Sequence, residues 1–318
     1  MRRAWVVLIA AAVAALAAAL VWQRQHSGHG AVIALAVRGG DGGGLPVAPP
    51  GDEHLDAAAL ELAARDPAAA GLAAFIVMRH GHVIFERFGH GLHADSVIDS
   101  GPFARVLVAL AAGIAEQDGA LPGTALFGFD PSRLRDAIES GTHRSYADYL
   151  SSRLWSRLNA GPAWIALPAA GATPPADCCF HARVIDWMRV AGLLVDDGSF
   201  EDTQVVGRGW VARMRRPLSP RSREGFGVQL APAGPAPRGF DAADVFFVRG
   251  PGRWRLWLVP SLRLAVLFGA AGGASGAPAG AGTGWDETRL PDLVISAITD
   301  RSASPQGQSL LQQLVPGH

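Results

Sequence analysis

The sequence predicts an α+β domain, an antiparallel sheet flanked by helices and joined to a second, helical lobe, behind an N-terminal membrane-spanning segment. Three observations carry this. In "AAFIVMRHGHVIFERFG", two apolar, β-rich runs flank His80-Gly81, a hairpin signature. Helical periodicity then dominates from about residue 102 to 217. Four further apolar runs, at 226–231, 244–250, 253–260 and 262–269, are joined by turns and read as an antiparallel meander.

The chain bounds the function classes before any motif is read. It has 318 residues, 49% of them hydrophobic, enough for one large domain or two intimate lobes. The formal charge is zero and the basic residues are scattered, so no nucleic-acid partner is expected. All 28 basic residues outside the histidines are arginine; the chain contains no lysine.

Taken in order, residues 1–24 read as a transmembrane anchor or signal segment. Arg2 and Arg3 precede an apolar run from Ala4 to Trp22, about the ~20 residues that cross a bilayer. The arginines should stay in the cytoplasm and place the body on the periplasmic or extracytoplasmic side. The small residues Ala15 to Ala19 would also suit a signal peptidase, so a cleaved signal is the rival reading. Residues 25–54, rich in Gly, Pro and His, read as a flexible linker. Within it "AVIALAV" is either an extension of the anchor or a strand. The folded domain spans 55–301, and 302–318 forms a polar tail.

The domain opens with a helix at 55–66, followed by the hairpin. A helix at 102–118 has Pro102 in its first turn and Asp99 or Ser100 as cap. Shorter helices follow near 132–140 and 145–158, the second with Tyr146, Tyr149, Leu150, Leu154 and Leu158 near one face. "HARVIDWMRVAGLLVDDG" is a helix closed by Gly198, and 207–217 is one ended by Pro217. After the meander, a Gly/Ala-rich loop at 270–284 leads to a last helix, "WDETRLPDLVISAIT". The adjacent Cys178 and Cys179 would bridge only with strain, so two free, buried thiols are expected.

Several stretches, in this order, carry a family resemblance: "FIVMRHGHVIFERFGHG", "LVALAAGIAEQDGAL", "SYADYLSSRLWSRLNA" and "CCFHARVIDWMRVAGLLVDDGSFEDTQVVGRGWVARM". Together they resemble the serine hydrolases related to class C β-lactamases and penicillin-binding proteins, in particular the 6-aminohexanoate-dimer hydrolase type. The resemblance covers roughly residues 56–300 and implies a β-lactamase/transpeptidase-like fold, here with a reduced helical lobe. It implies no cofactor and no metal.

It also implies a Ser-x-x-Lys at the head of the first long helix, a tyrosine from the helical lobe, and a Lys- or His-containing triplet on a sheet strand. Counting back from Gly113-Ile114-Ala115, the serine position falls on Pro102 and the lysine position on Arg105. Proline supplies neither hydroxyl nor backbone N–H, so nucleophile and oxyanion-hole donor are lost together. A guanidinium keeps its proton at any working pH and cannot act as the base. The tyrosine position falls on Phe129 or Leu126, and the triplet on Arg249-Gly250-Pro251-Gly252.

The leading expectation is a membrane-tethered, catalytically degenerate homologue that binds a small carboxylate, a peptide or a protein partner. Arg249, Gly250, Gly252 and Arg253 would leave the old cleft positively charged. A second reading is an active amide or ester hydrolase with Ser100 as displaced nucleophile and His80, His82, His90 or His93 as base. A third takes those four histidines as a metal site, but a solvent-facing turn explains them more simply. Asp186 and Arg189 read as lobe-packing residues, as the resemblance suggests.

Overall fold

The computed structural model describes residues 33–66, 69–121, 128–231, 244–270, 286 and 288–300. The N-terminal segment 1–24, Leu126, most of the 270–284 loop and the 302–318 tail lie outside the described residues. Among the described residues no helix is long and apolar enough to cross a membrane.

In chain order, β1 (Ala34–Val37) and a 3-10 turn (Pro50–Glu53) precede α1 (Ala57–Ala63). The hairpin follows as β2 (Leu72–Arg79) and β3 (His82–Phe88), then β4 (Val97–Asp99) and α2 (Ala104–Gln117). Next come α3 (Pro131–Thr142) and α4 (Tyr146–Tyr149), the latter prolonged by a wider turn over Leu150–Trp155. Strands β5 (Ala163–Ala166) and β6 (Phe180–Arg183) lead to α5 (Val184–Val195). A small ribbon, β7 (Ser199–Phe200) and β8 (Thr203–Gln204), precedes α6 (Trp210–Met214). The chain closes with β9 (Gln229–Leu230), β10 (Phe246–Arg249), β11 (Arg255–Val259), β12 (Leu264–Ala270) and α7 (Arg289–Ser296).

The main sheet is antiparallel, in the order β3-β2-β12-β11-β10-β9, so hairpin and meander share one sheet as the sequence predicts. His80 and Gly81 both have positive φ (49° and 84°), the conformation a two-residue hairpin turn requires. Helices cover both faces, which explains why the central strands β2, β11 and β12 are apolar at nearly every position. On one face Ile76, Met78, Ala265 and Leu267 join the large core around α2 and α5. On the other, Phe75, Val77, Val266 and Phe268 pack with α1 and α7.

A second sheet, β1-β5-β6-β4, belongs to the helical lobe. It corrects the linker expectation for residues 33–54. "AVIALAV" contributes a strand, with Leu35 opposite Ile165, and the Val83 N–H donates to the Pro46 carbonyl at 2.8 Å. The glycines there serve close approach rather than flexibility: a Cβ on Gly39 would stand 1.9 Å from the Ala160 carbonyl oxygen.

Two further expectations are corrected. Cys178 and Cys179 are bonded to each other and half-buried, not free and buried. Cys179 takes a left-handed backbone (φ 63°), and this turn brings the two neighbouring sulfurs together. Ser100 does not cap by its side chain; the Asp99 Oδ1 instead accepts from the Gly101 N–H at 3.0 Å, and a 3-10 turn (Gly101–Phe103) precedes α2.

A buried ionic knot fastens α5 to the segments around Gly43 and Leu158–Gly161. Asp186, with no exposure, accepts two bonds from Arg183 at 2.8 Å each and faces Arg189 Nε at 3.3 Å. It also accepts from the Gly161 N–H at 3.2 Å, while Arg189 donates to the carbonyls of Leu158 and Gly43. These contacts give Asp186 and Arg189 the packing role read from the sequence.

Candidate functional site

The head of α2 and the β10–β11 turn meet where the resemblance places the reaction centre. A Cβ on Gly250 would lie 2.8 Å from the Phe103 ring, and one on Gly101 would lie 3.2 Å from Pro251. Pro102 is exposed on this turn, and no hydroxyl stands at that position. Gly101 has φ 46°, so the turn entering α2 is left-handed, and Phe103 inserts into the core against Trp187 at 4.9 Å.

One helical turn further, Arg105 is half-buried, with its guanidinium 5.1 Å from the centre of the Phe129 ring. Its Nε is buried without a hydrogen-bond partner, so the aromatic face is the contact that answers it. Phe129 meets Phe226 edge-on at 5.0 Å. The positions assigned to lysine and tyrosine are thus neighbours in space, occupied by a cation that cannot release a proton and a ring that carries none.

The two tyrosines of the chain are engaged elsewhere. Burial pushes the Tyr146 phenol well up, against a partly opposing Arg135. Burial and the hydrogen bond from its hydroxyl to Asp118, at 3.0 Å, push Tyr149 up to about 12. Neither offers a phenolate near neutral pH.

Ser100 stands just before this turn but is 0% exposed. Its N–H donates to the Phe180 carbonyl at 2.8 Å, and its Oγ accepts from the Trp187 indole at 3.0 Å. A hydroxyl so placed supports packing and has no open path to a substrate.

The β10 residues divide between the sheet faces. Phe246 and Val248 face the α2 side, whereas Phe247 belongs to the opposite cluster. Arg249 follows Phe247: its guanidinium lies 5.7 Å from that ring and turns away from the helix head. The expected pairing of Arg249 with the cleft is therefore corrected by the period-two alternation of the strand. Gly250 faces Phe103 without a side chain. Gly252 (φ 55°) shapes the turn, its carbonyl accepting from the buried Arg255 at 3.0 Å, and Arg253 is exposed there.

The histidines are not assembled as a set. His80 Nδ1 lies 2.6 Å from Glu53 Oε2, and His82 Nδ1 lies 2.7 Å from Glu53 Oε1, fastening the 3-10 turn to the hairpin. His90 follows β3 with φ 53°, and the His93 N–H donates to Ser96 Oγ at 2.9 Å. Among the described residues no group of His, Cys, Asp and Glu is arranged to hold a metal ion.

Sequence reasoning missed a cleft beside this region, lined by Trp210, Arg213, Met214, Arg216, Leu218 and Phe226 among others. The run of arginines between 213 and 223 was the available signal.

No protein-family model matches the chain, and no curated protein matches it in sequence. Solved structures do match in shape. A protein assigned as a 6-aminohexanoate-dimer hydrolase, from Bacillus anthracis, superposes with a TM-score of 0.59 at 11% identity, covering 89% of each chain. A β-lactamase from Mycobacterium bovis gives 0.53 at 14% identity, over 80% of this chain and 99% of its own. A penicillin-binding protein homologue from Caulobacter crescentus gives 0.51 at 14% identity, over 70% and 92%.

Proposed function

We propose that this chain, which has the fold of the serine hydrolases related to β-lactamases and penicillin-binding proteins, is a binding protein whose hydrolytic centre is silent. The single observation that carries the reading is that Arg105, three residues after Pro102, lies 5.1 Å from the Phe129 ring centre: these are the positions the resemblance assigns to nucleophile, base and tyrosine, and none bears a group that can do the chemistry. Such centres act as units, and losing the nucleophile alone costs about 10⁶ in turnover.

The apolar run Ala4–Trp22 behind Arg2 and Arg3 supports tethering to a membrane, with the domain on the extracytoplasmic side. Its ligand would be a small carboxylate or a peptide or protein partner, held without turnover.

The test is hydrolysis of nitrocefin and p-nitrophenyl butyrate by the full chain and its Ser100→Ala variant. Turnover no higher than that of the buffer is expected from both. Wild-type turnover that Ser100→Ala abolishes would replace this reading with a hydrolase using a displaced serine. Carbonate extraction of membranes tests the anchor: the chain should stay in the pellet, and its release would remove the tether.

A further inference from the structure

Between α6 and the segment entering β9, the described residues enclose a cleft of about 280 Å³. Its floor is apolar, formed by Trp210, Met214 and Phe226, which are 5%, 1% and 7% exposed. At its rim stand Leu218, 41% exposed, and two arginines, Arg213 and Arg216.

The two arginines differ. Arg213 lies 4.5 Å from the Trp210 ring centre and donates to both Glu116 carboxylate oxygens, at 2.6 and 3.1 Å. Arg216 is exposed and has no carboxylate partner among the described residues. The same holds for Arg221 and Arg223 on the following loop, whereas Arg215 has Asp244 at 3.7 Å. An apolar floor therefore sits beneath a rim at which Arg216 is, among the described residues, an arginine without a carboxylate partner. The cleft adjoins the proposed silent centre without including it: Pro102, Arg105 and Phe129 do not line it, while Gly128 and Phe226, which do, neighbour Phe129.

We propose that this cleft binds a small amphipathic anion, an aryl or alkyl carboxylate. Its apolar body lies on Trp210, Met214 and Phe226, and its carboxylate takes the fork of Arg216. The volume is near the lower end of the ~300–1,000 Å³ typical of small-molecule sites, which selects a short ligand over a long lipid. An arginine with no carboxylate partner among the described residues offers two parallel donors to one anion. The site does not depend on the old centre being silent, since an active hydrolase could carry it equally.

Equilibrium dialysis of 4-phenylbutyrate against the full chain, in one detergent throughout, tests this. Saturable binding of one ligand per chain is expected, with 4-phenylbutanol weaker by about tenfold or more because it lacks the charge. Arg216→Gln should weaken phenylbutyrate by a similar factor, and Leu218→Glu should abolish its binding; both positions are exposed, and unchanged melting curves will show that both variants fold. Arg249→Ala should leave binding unchanged. The proposal is overturned by no saturable binding, by equal binding of the alcohol, by indifference to Arg216→Gln and Leu218→Glu, or by loss of binding in Arg249→Ala. None of these outcomes bears on hydrolysis of nitrocefin, so failure here is distinguishable from failure of the silent-centre reading.

Discussion

The Arg105 guanidinium rests on the face of Phe129, 5.1 Å from its ring centre, one turn along the helix that begins beside Pro102. In a serine hydrolase of this fold, the resemblance puts an amine and a phenol at these two places, passing a proton. Here a permanent cation and a hydrocarbon ring make a packing contact. Because Phe129 also meets Phe226, it links α2 to the segment entering β9. Phe129→Ala should therefore cost roughly 1–3 kcal/mol, below the value for a fully buried ring because Phe129 is half-exposed. Urea unfolding measures it; a change under about 0.3 kcal/mol would deny the ring that role.

Asp186 offers a larger effect. It is wholly buried between Arg183 and Arg189, so Asp186→Ala leaves buried guanidinium groups without their carboxylate. A loss of about 3–5 kcal/mol, or failure to fold, is expected from breaking one side of a buried ion pair. A variant melting within two or three degrees of wild type would show that the knot is dispensable.

The tyrosines give a prediction at high pH. Burial raises both phenols, and the bond to Asp118 adds to it for Tyr149, which is held up to about 12. The unfolded value is about 10, so the native chain keeps protons that the unfolded chain would release. That contribution to stability is complete below about pH 10 and is lost as pH rises through about 12. Phenolate absorbance at 295 nm should therefore stay low at pH 10.5 and rise with unfolding. A normal titration curve in the folded chain would contradict the burial of both rings.

Asp300 gives the acid counterpart. Its partial burial would raise the carboxyl, but the hydrogen bond and charge of Arg79, at 2.9 Å, outweigh this and hold it below the usual range. A depressed native pKa stabilises the fold above the unfolded value of about 3.9, and the benefit disappears as pH falls through the native one. Asp300→Asn should thus lower stability at pH 7 by about 1 kcal/mol or less, since the carboxylate is partly screened by solvent. The difference from wild type should vanish at the acid end of a urea–pH series; a difference independent of pH would assign the effect to packing.

The main sheet was legible because its signals are local. His80-Gly81 marks a turn, and the meander strands follow one another closely, so period and punctuation suffice. The sheet β1-β5-β6-β4 was not, since its strands have four residues or fewer and Leu35 meets Ile165 across the helical lobe. Gly39 shows why composition misled: glycine beside glycine reads as freedom, yet this one is required where two backbones touch. The proposal of a silent centre starts from the sequence itself, because a missing lysine needs no structure to be noticed. Arg249 was misplaced although the alternation of Phe246 and Val248 against Phe247 already put it on the other face. The cleft at Trp210 draws on three separate segments, around residues 128, 210–218 and 226, and only the folded chain brings them together.

The most direct test of the proposed silent centre is intact-mass analysis of the full chain after incubation with fluorescent penicillin and with a fluorophosphonate. The account predicts an unmodified mass for folded protein with both reagents. A stoichiometric adduct on one serine would contradict it, and the modified position would identify the nucleophile that Pro102 does not supply.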